Sequence, residues 1–495
     1  MSETKSSQRS WLAQLVTFAA IVAGGVAVGY YTYGPAPTQF GNGSNENSPK
    51  MAPDAVANAV AQWHEGAEHR FPLGEAEASD IIESPALAAD GDRVFLAWVA
   101  ETGVDERSVF LSRSDDGGET FSEPQIVVRT GVFTAISEMR GRRVERRLRT
   151  LPRLALAEKR LYLSWVDAGD TLDSVVLRLA WSDDEGRNFS SSLPVHASRQ
   201  ARPTFTSLQV AEDGTVACSW LDNRNHVQQP FAAVLPAGAA EFSPEQMVYS
   251  GTDNHGVCPC CSTAALHVPG TGTFVAFRGN EAGYRDMWVS ISRAPAGAFQ
   301  PPRRAVETPQ WQFDGCPHDG PSLAASTRLH MAWMDARSGV ERIYYGSADL
   351  DMPKFDSREL FHGRDGVQGH PHLVANGDVL HLVWDDTLQP THAPDEVSPE
   401  RGSSGRPNHQ GHQVALAGSS RTVLYSRSTD GGASFTEPVP LQPVEGAFQS
   451  RPQLAVTRKG DVFVAWMELG VGGKSVVVHR LQHPGSFVNT SQVAP

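Results

Sequence analysis

Two short segments of this chain gather the residues best able to do chemistry. One reads Cys258-Pro259-Cys260-Cys261, the other Asp314-Gly315-Cys316-Pro317-His318-Asp319-Gly320. Between them they hold four of the five cysteines, so these thiols are not a dispersed disulfide framework. Thiolates beside imidazoles suit a soft or borderline metal, copper(I) or zinc. The candidate ligands are Cys258, Cys260, Cys261, Cys316, His318 and, from His370-Pro371-His372, His372. In an oxidising compartment Cys258, Cys260, Cys261 and Cys316 admit a second reading, one or two disulfides such as Cys316 to one of the other three. Thiol redox chemistry is a third. His255 reads as a loop residue. Cys218, two residues before Trp220, reads as a small buried apolar residue.

Arginines and carboxylates form a second set. Arg153, Arg202 and Arg451 stand at the starts of apolar runs, and Asp167, Asp222 with Arg224, Arg278 with Glu281, Asp335 with Arg337, Asp385 with Asp386, and Glu468 follow others. Guanidinium groups pair bidentately with carboxylates. Arg153, Arg202, Arg278, Arg337 and Arg451, with Asp222 and Asp335, are therefore candidates to bind an anionic small molecule. The alternative is that these arginines and acids simply pair with one another.

The pattern that must position both sets repeats along the chain. One unit is Pro-x-Leu-Ala, a short turn, then Val-x-x-Ala-Trp. It occurs at Pro85 to Trp98, Pro152 to Trp165, Pro203 to Trp220, in degenerate form at Cys261 to Phe277, then at Pro321 to Trp333, Pro371 to Trp384 and Pro452 to Trp466. A third strand-like run follows each pair, such as Ser108 to Ser112 or Thr422 to Ser426, then a turn and a fourth run. Four strands at a period of about 50–60 residues mean propeller blades. The repeat count is seven, with six the alternative if one unit is mispaired. Residues 55–82 are placed to supply an outer strand that closes the ring. In a propeller, the starts of inner strands and the loops after second strands open on one face, so both chemical sets converge on one mouth.

Three turns between third and fourth runs share the pattern Ser-x-Asp-x-Gly-x-x-Phe, at 114–121, 182–189 and 428–435. Ser and Asp can bond nearby backbone N–H groups, Gly takes the positive φ, and Phe plugs the turn from below. These turns resemble the Asp-box of the sialidase-like β-propellers, and the resemblance covers residues 83–495 as repeats. It implies an all-β propeller fold and, for a sialidase-type glycoside hydrolase, an arginine triad, a Tyr–Glu nucleophile and an acid/base Asp. Arg202-Pro203 and Arg451-Pro452 resemble fragments of the family's Arg-Ile-Pro motif, but the first unit begins Glu83-Ser84-Pro85. Tyr284 is the one tyrosine near the expected mouth, with Glu281, Asp335 and Asp167 as carboxylates. Sialidases are six-bladed, so a count of seven departs from the enzymes.

The chain has 495 residues, a net charge of -14 and no long basic tract, which argues against a nucleic-acid partner. Residues 1–10 carry Lys5 and Arg9, and residues 11–33 are apolar and uncharged, long enough to cross a bilayer. The charge bias predicts a cytoplasmic N-terminus, a single transmembrane signal anchor, a linker at 34–54 and a propeller at 55–495 on the periplasmic or extracytoplasmic side. A cleaved signal peptide is the alternative. Residues 133–150 carry Arg140, Arg142, Arg143, Arg146, Arg147 and Arg149, and are expected to have some helical character. They form either a solvated face or a docking site for an anionic ligand or protein partner. Residues 388–420, with His392, His409 and His412, read as a long loop. Two functions follow: a binding or assembly module with a Cys/His metal centre at the mouth, or an exo-sialidase-type hydrolase acting on an acidic sugar.

Overall fold

The alternating apolar runs fold as antiparallel strands. The structure, a computed structural model, describes residues 67–74, 84–103, 106–131, 134–139, 142–147, 152–168, 175–251, 256–308, 310–351, 354–364, 366–387, 420–470 and 472–481. Among them are seven four-stranded sheets and one two-stranded sheet. The seven sheets are the blades of a seven-bladed β-propeller, which fixes the count at seven. Their inner strands are Ala86–Asp90, Arg153–Ala157, Thr204–Val210, Ala264–Val268, Ser322–Ala325, Gln368–Asn376 and Phe448–Val456. The second strands are Arg93–Gly103, Arg160–Ala168, Val216–Asp222, Gly272–Arg278, Leu329–Asp335, Val379–Asp386 and Val462–Gly470.

The ring closes as the repeat reading expects. Glu68–Gly74 forms the outer strand of blade seven, antiparallel to Gly473–Leu481, with Phe71 opposite Val476. Arg70 reaches across to Glu468 as an ion pair. The first described strand thus completes the last blade.

Seven hydrophobic clusters hold the ring, each shared by two adjacent blades. Phe95, Ala97 and Leu111 of blade one meet Leu161, Leu163 and Trp165 of blade two. Leu96, Trp98 and Phe463 join blade one to blade seven. A strand sends alternate side chains to opposite faces, and both faces of a blade are covered, so second strands such as Val-Ala-Cys-Ser-Trp-Leu-Asp are buried throughout. Trp220, Trp333, Trp384 and Trp466 are fully buried at equivalent positions. Each such side chain contributes ~2–3 kcal/mol by leaving water. Cys218 sits in one of these cores, where burial pushes its thiol up.

Asp-box turns lock the blades from the other end. In the first, the Ser114 hydroxyl donates to Asp116 Oδ1 at 2.7 Å and accepts from Gly118 N–H at 2.8 Å. The two other copies repeat both bonds. Asn188, through side chain and backbone, and the Ser182 hydroxyl pull the Asp184 carboxyl down to about 2. Gly432 has φ +89° and lies so close to Tyr345 of the preceding blade that a Cβ would come within 1.8 Å of its hydroxyl.

Residues 134–139 and 142–147 correct the helical expectation. Thr134–Met139 pairs antiparallel with Arg142–Arg147, and Thr134 faces Arg147 and Met139 faces Arg142. Arg-Arg-Val-Glu-Arg-Arg alternates as readily at period two as at helical spacing, and strand pairing decides. The expected features at 1–10, 11–33 and 34–54, His255, and the loop at 388–420 apart from Ser420 lie outside the described residues. Among the described residues no helix is long and apolar enough to cross a membrane.

Candidate metal centre

Cys258-Pro259-Cys260-Cys261 is a tight turn leading into blade four. Proline at its second position presets φ, and the turn brings its first and fourth residues together. The turn is held from both sides: Cys258 N–H donates to Arg278 O at 3.0 Å and Val257 N–H to Gln228 O at 2.8 Å. Gly320 lets the Cys316–Asp319 segment lie against this turn, since a Cβ there would sit 2.3 Å from Ser262 O. Blades four and five thereby bring their cysteines together.

The sulfur of Cys258 lies 3.6 Å from that of Cys260 and 3.5 Å from that of Cys261. All three residues are buried, at 1 %, 6 % and 2 % exposure. A disulfide needs about 2.05 Å. Metal–sulfur arms of ~2.3 Å in a tetrahedron put sulfurs about 3.8 Å apart. The spacing therefore matches thiolates around one ion, and no described cysteine forms a disulfide. A second trio, Cys260, Cys316 and His318, also has its donor atoms within 4.8 Å of one another.

The charge around the thiols favours one anionic sulfur, that of Cys261, while hydrogen bonds among the thiols together with burial push Cys258 and Cys260 up. Arg278 is 1 % exposed and spends its donors on three backbone carbonyls, Asp319 O at 3.1 Å, Arg285 O at 2.8 Å and Met334 O at 2.8 Å. Burial alone would lower its pKa, but Cys261, Asp335, Cys258 and Asp319 together raise it. For Cys261, burial is outweighed by hydrogen bonds from Cys258 and Cys260, the Arg278 charge and the Asp319 N–H, so its thiol is held well below the usual range.

Beside the cluster stands a buried carboxylate network absent from the sequence-derived ligand set. Asp385 is 0 % exposed. It pairs with Arg421 Nη1 at 2.9 Å and His370 Nδ1 at 2.7 Å, and accepts from Arg451 N–H at 2.9 Å and Ser450 Oγ at 3.2 Å. Burial opposes ionisation, yet Arg421 and His370 hold the carboxyl far below its usual range. His370 N–H in turn donates to Asp319 Oδ2. His370 and Arg451 both have left-handed backbones, φ 53° and 55°, at bulges where inner strands begin. The signal in sequence was the shared x-Pro-x-Leu position of His370 and Arg451.

The other expected site residues divide. Asp222 is fully buried and bound by Arg224, Trp220 Nε1 and Arg202 N–H. Asp335 takes the same role with Arg337 and Trp333, and Arg337 also pairs with Asp286. These groups tie strands together. Arg202 donates to Ala201 O at 3.1 Å. Arg153 donates to Thr206 O at 3.0 Å, and its pKa falls to about 10 through burial and the Arg451 charge. His372 Nδ1 accepts from Leu454 N–H at 3.2 Å, and burial takes its pKa down to about 4. His372 is in neither donor trio. Tyr284 bridges Gln312 through its backbone. The tyrosine that meets Glu281 is instead Tyr249, whose hydroxyl donates to it, and burial with that bond pushes its pKa up.

No protein-family model matches this chain, and no curated protein matches it. Many solved structures do. An ulvan lyase, described as a new family of polysaccharide lyase, matches with a TM-score of 0.50 at 8 % identity, covering 83 % of this chain and 96 % of that one. A Penicillium chrysogenum alpha-L-arabinanase matches with a TM-score of 0.43 at 13 % identity, over 85 % and 99 %. A Trypanosoma rangeli sialidase mutant displaying trans-sialidase activity matches with a TM-score of 0.40 at 12 % identity, over 70 % of this chain and 57 % of that one. At such identities the likeness is one of fold. The three Asp-box turns are the feature shared with the sialidase-like β-propellers, and the seven blades set this fold apart from the six-bladed enzymes.

Proposed function

We propose that the protein is a soft-metal-binding propeller that holds copper or zinc on Cys258, Cys260, Cys261, Cys316 and His318 for a binding or assembly role. The observation that carries this reading is the spacing of the three buried sulfurs, about that of a metal's ligand shell and far beyond a disulfide. The buried charge of Arg278, paired with no carboxylate among the described residues, supplies a reason for anionic sulfur there. In this reading residues 11–33 anchor the chain in a membrane with the propeller on the extracytoplasmic side, and the partner is a protein or anionic small molecule met at the mouth. The test is metal content and free-thiol count on the full-length chain purified anaerobically without chelator. Bound copper or zinc with protected, reduced thiols is expected. A chain that takes up neither metal after reduction and reloading overturns the reading.

One observation favours a second reading, an acidic-sugar hydrolase of exo-sialidase type. The Arg451 charge helps burial to lower the pKa of Arg153, and neither arginine forms an ion pair with a carboxylate among the described residues. The ulvan lyase that shares the fold makes polysaccharide the substrate class to assay. Against it, Tyr249 beside Glu281 is held as a neutral phenol, the opposite of an activated nucleophile. Turnover of any acidic glycoside by the reduced or oxidised protein would establish it, and silence across such a panel removes it.

A further inference from the structure

The two donor trios share one atom, the sulfur of Cys260. From this we infer that the centre holds two copper(I) ions bridged by the Cys260 thiolate, an inner ion on Cys258, Cys260 and Cys261 and an outer ion on Cys260, Cys316 and His318. The inference rests on the metal-binding reading above and adds number, identity and order to it.

Donor count decides the metal. Five donors with one shared provide six metal–ligand bonds. That is enough for two three-coordinate ions, a geometry that copper(I) accepts and that thiolates favour. Two zinc ions in closed sites would need eight. Charge agrees: four thiolates and two copper(I) ions leave a negative cluster, and Arg278 lies buried next to Cys261 and Cys258 with no hydrogen-bonded carboxylate of its own.

Burial orders the two positions. Cys258, Cys260 and Cys261 are buried, Cys316 is half-buried and His318 is exposed. His318 is also held with a left-handed backbone, φ 57°, of the kind that collects at functional sites. The outer ion is therefore the one that meets solvent and an incoming donor, and the inner ion is the retained one. Transfer inward is ligand exchange about Cys260: the bonds to Cys316 and His318 break as bonds to Cys258 and Cys261 form. Each thiol that becomes a ligand gives its proton to water, the released Cys316 thiolate takes a proton from water, and copper stays in the +1 state throughout.

The test is an anaerobic copper(I) titration of the full-length chain against the chelator bathocuproine disulfonate, with X-ray absorption on the loaded protein. Two ions per chain and a short copper–copper vector are expected. His318→Ala and Cys316→Ser should each keep one ion with its affinity within about threefold of the tighter wild-type ion, and Cys260→Ser should lose both. A wild-type chain that binds one ion, with affinity falling tenfold or more in His318→Ala, would show a single mixed site and overturn the inference while leaving the metal-binding reading intact. A chain that binds none overturns both. Should the cysteine variants misfold, the absorption spectrum of the unsubstituted protein decides alone.

Discussion

At Asp385 four donors converge on one carboxylate that water does not reach. Two of them come from blade seven and one from Arg421, so this residue ties neighbouring blades together at the level of the thiol cluster. Asp385→Asn keeps the shape but leaves the Arg421 charge buried without its anion. Chemical denaturation should show a loss of ~3–5 kcal/mol. His330 makes a different prediction. It is fully buried, bonded to Tyr345 Oη at 2.7 Å and Ser326 Oγ at 3.0 Å, and burial lowers its pKa to about 4. An unfolded histidine takes its proton near 6.5, so between about pH 6.5 and 4 the unfolded state binds more protons than the folded one. Stability therefore falls as pH drops through that window, by up to ~3 kcal/mol from this group. Unfolding curves at pH 7 and pH 4 should differ less in His330→Gln than in the unsubstituted chain, and an equal difference would mean that His330 does not titrate this way.

The Asp-box glycines show how an element fits its neighbour. Gly118 approaches Phe463, Gly186 approaches Leu111 and Gly432 approaches Tyr345, each on the blade before it. Gly432→Ala meets both a positive φ and a hydroxyl in its way, and should cost ~2–4 kcal/mol in an unfolding titration. A value near zero would show that Tyr345 moves aside freely. Blades, turns and the closing strand were legible because Pro-x-Leu, the terminal Trp and Ser-x-Asp-x-Gly-x-x-Phe recur at fixed offsets. The pairing of blades four and five was legible from the same count, and it put Cys258–Cys261 near Cys316. The fate of the arginines was not. Arg278 is fixed by carbonyls of Arg285, Asp319 and Met334, partners that no local pattern announces. For Asp222 and Asp335 a signal did exist: each lies two residues after a Trp whose indole N–H it accepts and two before an Arg that it pairs with. That spacing is a corner brace, and it recurs in two blades.

Across the whole ring, one strand joins the first described segment to the last. A chain shortened to begin at residue 75 would lack Glu68–Gly74 and leave Gly473–Leu481 with an open edge. Its thermal midpoint should fall, and it should aggregate at concentrations the intact protein tolerates. An unchanged midpoint would mean that the six other blades hold the ring without the clasp. The same strand also sets an order in time. Among the described residues every other pairing within a blade joins strands that follow one another in the sequence, whereas this one waits for nearly the whole chain. Closing a loop about tenfold longer costs ~2 kcal/mol more in entropy. The clasp is thus the late event in folding, and the thiol-bearing turns of blades four and five, both synthesised well before it, come together while the circle is still open.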